Sequence, residues 1–194
     1  MIGQKGIPAR GGGVERHVEE LATRLAKNGH EVFVYCREHY TSSRSATYNG
    51  VHCIYLPTLR TKHLDAIVHT LLATLHVLFQ RADIIHYHAI GPASLLWIAR
   101  LIKRSATIFF TFHCQDYHHE KWGFIARLYL RFGEAIGCRF AHRVITVSKT
   151  LTKYAWTAYQ RDAAYIPNGA PRAATTVYRR QLQRLDLAAN GYIL

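Results

Sequence analysis

At 194 residues the chain is long enough for one domain with a sizeable core, and 49% hydrophobic against 19% charged residues excludes a disordered chain. Lysine and arginine outnumber aspartate and glutamate by 25 to 12, a net charge of +13 with 13 histidines besides. That surplus favours anionic partners (phosphorylated substrates, acidic lipid headgroups or nucleic acid) without choosing among them.

Cys36, Cys53, Cys114 and Cys138 form no CxxC pair and are scattered over the chain. They argue against a disulfide framework or a zinc ribbon and for reduced thiols, as in a cytoplasmic protein. Met1-Ile2-Gly3-Gln4-Lys5 lacks the apolar core of a signal peptide. The longest apolar stretch, Leu64 to Phe79, is interrupted by Asp65, His69 and His76. It is shorter than the roughly 20 residues of a membrane span, so a soluble or peripheral protein is expected.

In chain order, the spacing of Val14, Val18, Leu21 and Leu25 predicts a helix from about Gly13 to Asn28, stopped by Asn28-Gly29. Glu20 and Arg24 can pair across one turn of it. Residues 31–36 and 51–56 read as strands, 37–50 as a loop and 62–80 as a helix. The alternation repeats: strand 83–88, helix 92–103, strand 106–112, helix near 120–140, strand 143–147, helix 148–160 and strand 163–166. The strands are mostly continuous apolar runs, so both faces of the sheet are covered. The expectation is an α/β domain with a doubly wound parallel sheet.

Only Met1-Ile2 precede the first loop, where a central strand is expected, and Gly191 to Leu194 reads as the start of another strand. The expected division is therefore a Rossmann-like domain over 1–189, its first strand truncated, and the beginning of a further domain at 190–194. A strand stub in mid-sheet forgoes ladder hydrogen bonds and buried area, so marginal stability is expected.

Gly11-Gly12-Gly13 immediately precede the first helix. Open α/β sheets bind ligands outside the carboxyl ends of their strands. A glycine loop there brings backbone N–H groups and the positive end of a helix to an anion; the bland alternative is a flexible turn. The spacing is not GxGxxG, which counts against a dinucleotide-dependent enzyme. Thr111 to Asp116 lies at another strand end, where His113 and Asp116 could bond sugar hydroxyls or handle a proton. His118 and His119 make a metal site conceivable but not indicated. His86 and His88 alternate on one strand and so share a face, His86 further towards the core. Ser148 suits a helix N-cap and Asn168-Gly169 a turn. Trp122, Ile125, Leu128, Phe132 and Ile136 form an apolar stripe ringed by Lys121, Arg127, Arg131, Arg139 and Arg143. That stripe either packs on the sheet or lies on an anionic membrane.

Together these segments resemble glycosyltransferase family 4. They are Gly3 to Val18, Asp83 to Pro92, Thr111 to Asp116, Lys121-Trp122-Gly123, Ile145 to Ser148 and Tyr165 to Gly169, in the family's order. The likeness is to the bacterial rhamnosyl- and mannosyltransferase branch of surface polysaccharide synthesis. The resemblance implies the N-terminal, acceptor-binding half of a two-Rossmann (GT-B) architecture, working at the cytoplasmic face of the membrane. A missing C-terminal domain would hold the nucleotide-sugar donor, so this chain alone is expected to be inactive. Retention of configuration is implied, with no cofactor and no metal. Gly12 and Gly13 would face the donor diphosphate and His113 would be catalytic beside the transferred sugar. Asp116, His88 and Arg16 would serve a saccharide or lipid-linked acceptor. Cys114 stands where the family has glycine, which raises the question of backbone strain there. The alternative is a stand-alone basic α/β module for nucleic acid or anionic membrane; nucleic acid accounts for the charge but not for the glycine loop or the strand-end histidines.

Overall fold

The computed structural model describes residues 1–41, 44–59, 61 and 64–169; the expected strand at 191–194 lies outside them. Among the described residues, strands and helices alternate as β1 (Phe33–Arg37), β2 (Thr47–Tyr48), β3 (Val51–Leu56), β4 (Ile84–His88), β5 (Thr107–Phe112), β6 (Arg143–Thr146) and β7 (Ala164–Tyr165), with α1 (Gly13–Lys27) before β1. The helices between and after them are α2 (Leu64–Leu78), α3 (Ile90–Ala93), α4 (Leu96–Ile102), α5 (Phe124–Phe140) and α6 (Lys149–Tyr159). The strands form two groups, in the orders β1-β3-β2 and β4-β5-β6-β7.

The Met1–Ile2 segment joins the groups. Tyr35 N–H donates to Met1 O at 3.1 Å, Ile2 N–H to His86 O at 2.9 Å and His88 N–H to Ile2 O at 2.9 Å. Ile2 bridges Tyr87 in the parallel sense and is wholly buried. The central place in the sheet is thus filled by two residues, with Gln4 Nε2 adding a bond to Tyr35 O at 2.9 Å. Two hydrophobic clusters result. One lies between α1 and β1/β3, around Ile7, Val18, Ala22, Val34 and Val51. The larger runs through β4, β5 and β6 with α2 to α6, around Tyr87, Phe110, Phe112 and Leu96. The parallel α/β reading holds.

Three expectations change. The loop expected over 37–50 contains β2, which pairs antiparallel with β3, so the sheet is not wholly parallel. Asn49 and Gly50, with φ of 48° and 84°, form the tight hairpin turn that favours this dipeptide. The helix expected over 92–103 is two short ones, α3 and α4. At the break Ser94 Oγ donates to Gly91 O at 2.7 Å, a side-chain bond that competes with helix continuation.

The third change concerns α5. Its buried face carries Leu130, Gly133, Glu134, Gly137 and Cys138, spaced as one helical stripe. Four large apolar residues point outward: Phe124, Ile125, Leu128 and Phe132 are all exposed, the first two by more than 80% (83% and 81%). Close approach explains the choice. A Cβ on Gly133 would strike the Ile90 carbonyl, and one on Gly137 would come within 2.6 Å of the Phe110 ring. Only a glycine face lets α5 pack this near α3 and β5. No helix among the described residues is long and apolar enough to cross a membrane. The N-cap reading of Ser148 holds, its Oγ accepting from Leu151 N–H at 3.2 Å.

Gly137→Ala should therefore lower the urea midpoint by the equivalent of about 1–3 kcal/mol through overpacking. Gly11→Ala, whose Cβ would meet nothing within 4 Å, should not lower it. Equal midpoints for the two variants would refute the close-packing account.

Candidate functional site

Parallel strands put their carboxyl ends on one edge, and here that edge gathers histidines. β4 ends at His88, whose register partner in β5 is Thr111, two residues before His113. The Ile2 segment runs parallel to β4, so the glycine loop that follows it emerges at this same edge and leads into α1. One turn into α1 stands His17. Its ring centroid is 4.8 Å from that of His113 and 5.6 Å from that of His88.

Each ring has a defined partner. His88 Nδ1 lies 3.3 Å from His113 Nε2. His17 Nδ1–H donates to Asn168 Oδ1 at 2.8 Å, which leaves a lone pair on His17 Nε2. His86 Nε2 bonds Thr111 Oγ1 at 2.7 Å, and its ring lies 4.0 Å from that of His88. As the alternation implied, His86 and His88 share a face, but the expected order of burial is reversed: His88 is wholly buried and His86 is 8% exposed, because His113 and His17 close over the strand end. Burial, which disfavours the charged imidazolium, lowers His86 and His113 to about 3 and His88 well below its usual range, and it lowers His17 as well. At neutral pH the cluster is therefore uncharged, able to donate and accept hydrogen bonds but a poor source of protons.

The glycine loop has two sides. Gly12 has φ of 96°, and a Cβ on it would collide with the Glu15 carboxylate. Glu15 is buried and its Oε1 accepts from Lys5 N–H at 3.2 Å. Gly11 and Gly13 are exposed with nothing within 4 Å of a would-be Cβ. An incoming anion has access from that outer side, while Glu15 closes the inner one.

The other sequence-derived candidates lie apart from this cluster. Arg16 is on the solvent face of α1, paired with Glu19 at 3.0 Å and Glu20 at 3.8 Å. Asp116 opens a 3-10 turn (Asp116–His118), where its Oδ1 accepts from Cys114 Sγ at 3.2 Å and lies 3.9 Å from His119 Nε2. Cys114 keeps a negative φ, so a side chain costs the backbone nothing there. His118 and His119 are exposed and outside the histidine cluster. Sequence reasoning did not single out His17 or the side chain of Asn168. The signal for His17 was present: it sits three residues after Val14 and four before Leu21, on the half-buried flank of α1 beside the buried Val18 and Ala22. Two open hollows of about 560 and 600 Å³ lie around α6 and β7; none of the clustered histidines lines them. The edge that carries the histidines is the candidate site because several titratable groups converge there with their charged forms disfavoured by burial, as functional sites often show.

Residues 11–173 match the family model described as Glycosyltransferase Family 4. A solved structure of sucrose-phosphate synthase from Thermosynechococcus elongatus is similar in fold, with a TM-score of 0.53 at 18% identity. The alignment covers 91% of this chain and 97% of that one. No curated protein sequence matches the chain.

The buried neutral histidines make stability pH-dependent. Unfolded, they titrate at about 6.5; folded, His86 and His113 take up protons only at about 3. Between these values the unfolded state binds more protons, so stability rises with pH and is lost on acidification, by up to about 1.4 kcal/mol per group per pH unit. The urea midpoint should fall steadily from pH 7 to pH 4, and His86→Gln should flatten that slope. A slope identical in the variant would show that His86 does not contribute.

Proposed function

From the membership of this chain in glycosyltransferase family 4, we propose that it serves the transfer of a sugar from a nucleotide-sugar donor to a saccharide or lipid-linked acceptor, its Rossmann-like domain holding the acceptor. One observation carries the reading: the exposed Gly11–Gly13 loop at the start of α1 shares a sheet edge with the strand-end histidines His88 and His113. In the proposed arrangement, backbone N–H groups at Gly12 and Gly13 face the donor diphosphate and offset the charge that builds on it as it leaves. His113, kept neutral by burial, accepts or donates a hydrogen bond to the transferred sugar. On the acceptor side, Asp116 and Arg16 offer accessible polar groups, while His88, wholly buried, acts only through its contact with His113. The reaction retains anomeric configuration and needs no metal, and the branch is that of surface-polysaccharide rhamnosyl- and mannosyltransferases. The donor nucleotide belongs to a second domain, without which the cleft has one wall and cannot exclude water. The 194 residues alone are then expected to bind without transferring.

Transfer is tested on the domain joined to a donor domain, with UDP-, GDP- and dTDP-hexoses and a lipid-linked saccharide. His113→Ala should lower kcat about 100-fold or more with the fold intact. Undiminished kcat would remove His113 from the reaction. Binding to generic DNA that falls steeply with salt, with no response to nucleotide sugars, would replace the whole reading by a nucleic-acid module.

The outward stripe of α5 supports an acceptor held at a membrane. Phe124, Ile125, Leu128 and Phe132 are exposed, and Lys121, Arg127, Arg131 and Arg139 are exposed around them. Such a face inserts its apolar residues between anionic headgroups while its cations pair with them. Co-sedimentation with phosphatidylglycerol vesicles should drop several-fold in the Phe124→Ser, Ile125→Ser double variant and with rising salt. Equal sedimentation of variant and wild type would remove the membrane from the proposal.

A further inference from the structure

We propose that His17, His88 and His113 form a three-histidine site for a single transition-metal dication of the Zn2+ class. One ring nitrogen from each lies within 4.8 Å of the other two, from three separate elements: α1, the end of β4 and the segment just after β5. Around a tetrahedral zinc with bonds of about 2.0–2.1 Å, neighbouring ligand nitrogens stand roughly 3.3–3.4 Å apart. His88 Nδ1 and His113 Nε2 are already separated by 3.3 Å. The ligand nitrogen of His17, on a half-buried ring near the start of α1, is within 4.8 Å of both, so a shift of at most about 1.5 Å brings it to the tetrahedral spacing.

The donor chemistry agrees. Metal binds the neutral imidazole, and all three rings are held neutral by burial. Asn168 Oδ1 accepts the Nδ1 proton of His17, the outer-shell bond that fixes a ligating histidine's tautomer and aims its other nitrogen. A set of three nitrogens with no carboxylate selects zinc and its neighbours over magnesium or calcium, which require oxygen ligands. Three protein ligands leave one tetrahedral position for water or an oxygen of a bound molecule.

Such an ion would clasp α1, packed on β1 and β3, to the carboxyl ends of β4 and β5, across the seam that Met1–Ile2 bridges. It would also occupy His113 Nε2. Sugar transfer, proposed to need no metal, is then expected to be slowed by Zn2+; this inhibition rests on the transferase reading, whereas the binding does not.

The test is direct titration of the 194-residue chain with Zn2+ against a chromogenic chelator, with Co2+ as a spectroscopic probe. One Zn2+ per chain is expected, with a tetrahedral Co2+ spectrum, a raised Tm and no competition from Mg2+. His17→Ala, at a half-exposed position, should weaken binding at least tenfold. Asn168→Ala, which removes no ligand, should weaken it about 10–100-fold. A double His118→Ala, His119→Ala variant should bind as wild type does. No stoichiometric binding, binding indifferent to His17→Ala, or binding that disappears with His118 and His119 would each overturn the site.

Discussion

Two residues hold the two halves of this sheet together. Met1 and Ile2 lie between β1 and β4, bonded to Tyr35 on one side and to His86 and His88 on the other. Ile2 is wholly buried and parallel to Tyr87. A central strand normally spreads this duty over a longer ladder; here four main-chain bonds, including Met1 N to Phe33 O at 2.6 Å, carry it with the Ile2 side chain and the Gln4 amide. The same segment decides where the glycine loop leaves the sheet. Because the bridge is parallel, the loop emerges beside the ends of β4 and β5, and α1 must start there. The meeting of His17 with His88 and His113 is a consequence of that geometry.

The histidine cluster is a set of polar groups placed where burial makes charge expensive. A lone buried imidazole is commonly satisfied by a backbone carbonyl. Here the partners are other side chains: Thr111 for His86, Asn168 for His17, and His88 with His113 for each other. The cluster contains no carboxylate, so nothing nearby restores the imidazolium. The site is thus suited to directional hydrogen bonding or to metal ligation, and ill suited to donating a proton near pH 7. For a sugar-transferring family this is a coherent chemical character, because recognising hydroxyls calls for neutral, oriented donors and acceptors.

α5 shows how packing can invert an amphipathic pattern. Phe124, Ile125, Leu128 and Phe132 lie on a different stripe from its glycines. The glycine stripe goes inward because Ile90 and Phe110 leave room for nothing larger. Buried Glu134 on that inner side is held by the hydroxyls of Tyr154 and Tyr159, at 2.8 and 2.7 Å, tying α5 to α6. The outer stripe remains uncovered among the described residues, and its ring of lysine and arginine gives the basic composition a location. The +13 charge is thus partly a property of one face rather than of the chain as a whole.

Most of the architecture was legible in the sequence, because helix and strand periodicities are local: α1, the apolar strands, the Ser148 cap and the glycine loop could all be read from neighbours a few residues apart. The motifs also sufficed to indicate the family. What the sequence left open depends on contacts between distant segments. The Asn49-Gly50 hairpin was hidden in a polar stretch whose strand partner is only two residues long. The inward face of α5 was undecided because the choice lies with Phe110 and Ile90, on other elements. His17 and Asn168 are 151 positions apart, and no local pattern relates them. Periodicity fixes which side chains share a face of one element; which faces meet, and which polar groups converge, is fixed only when the sheet closes around Ile2 and brings its strand ends to a common edge.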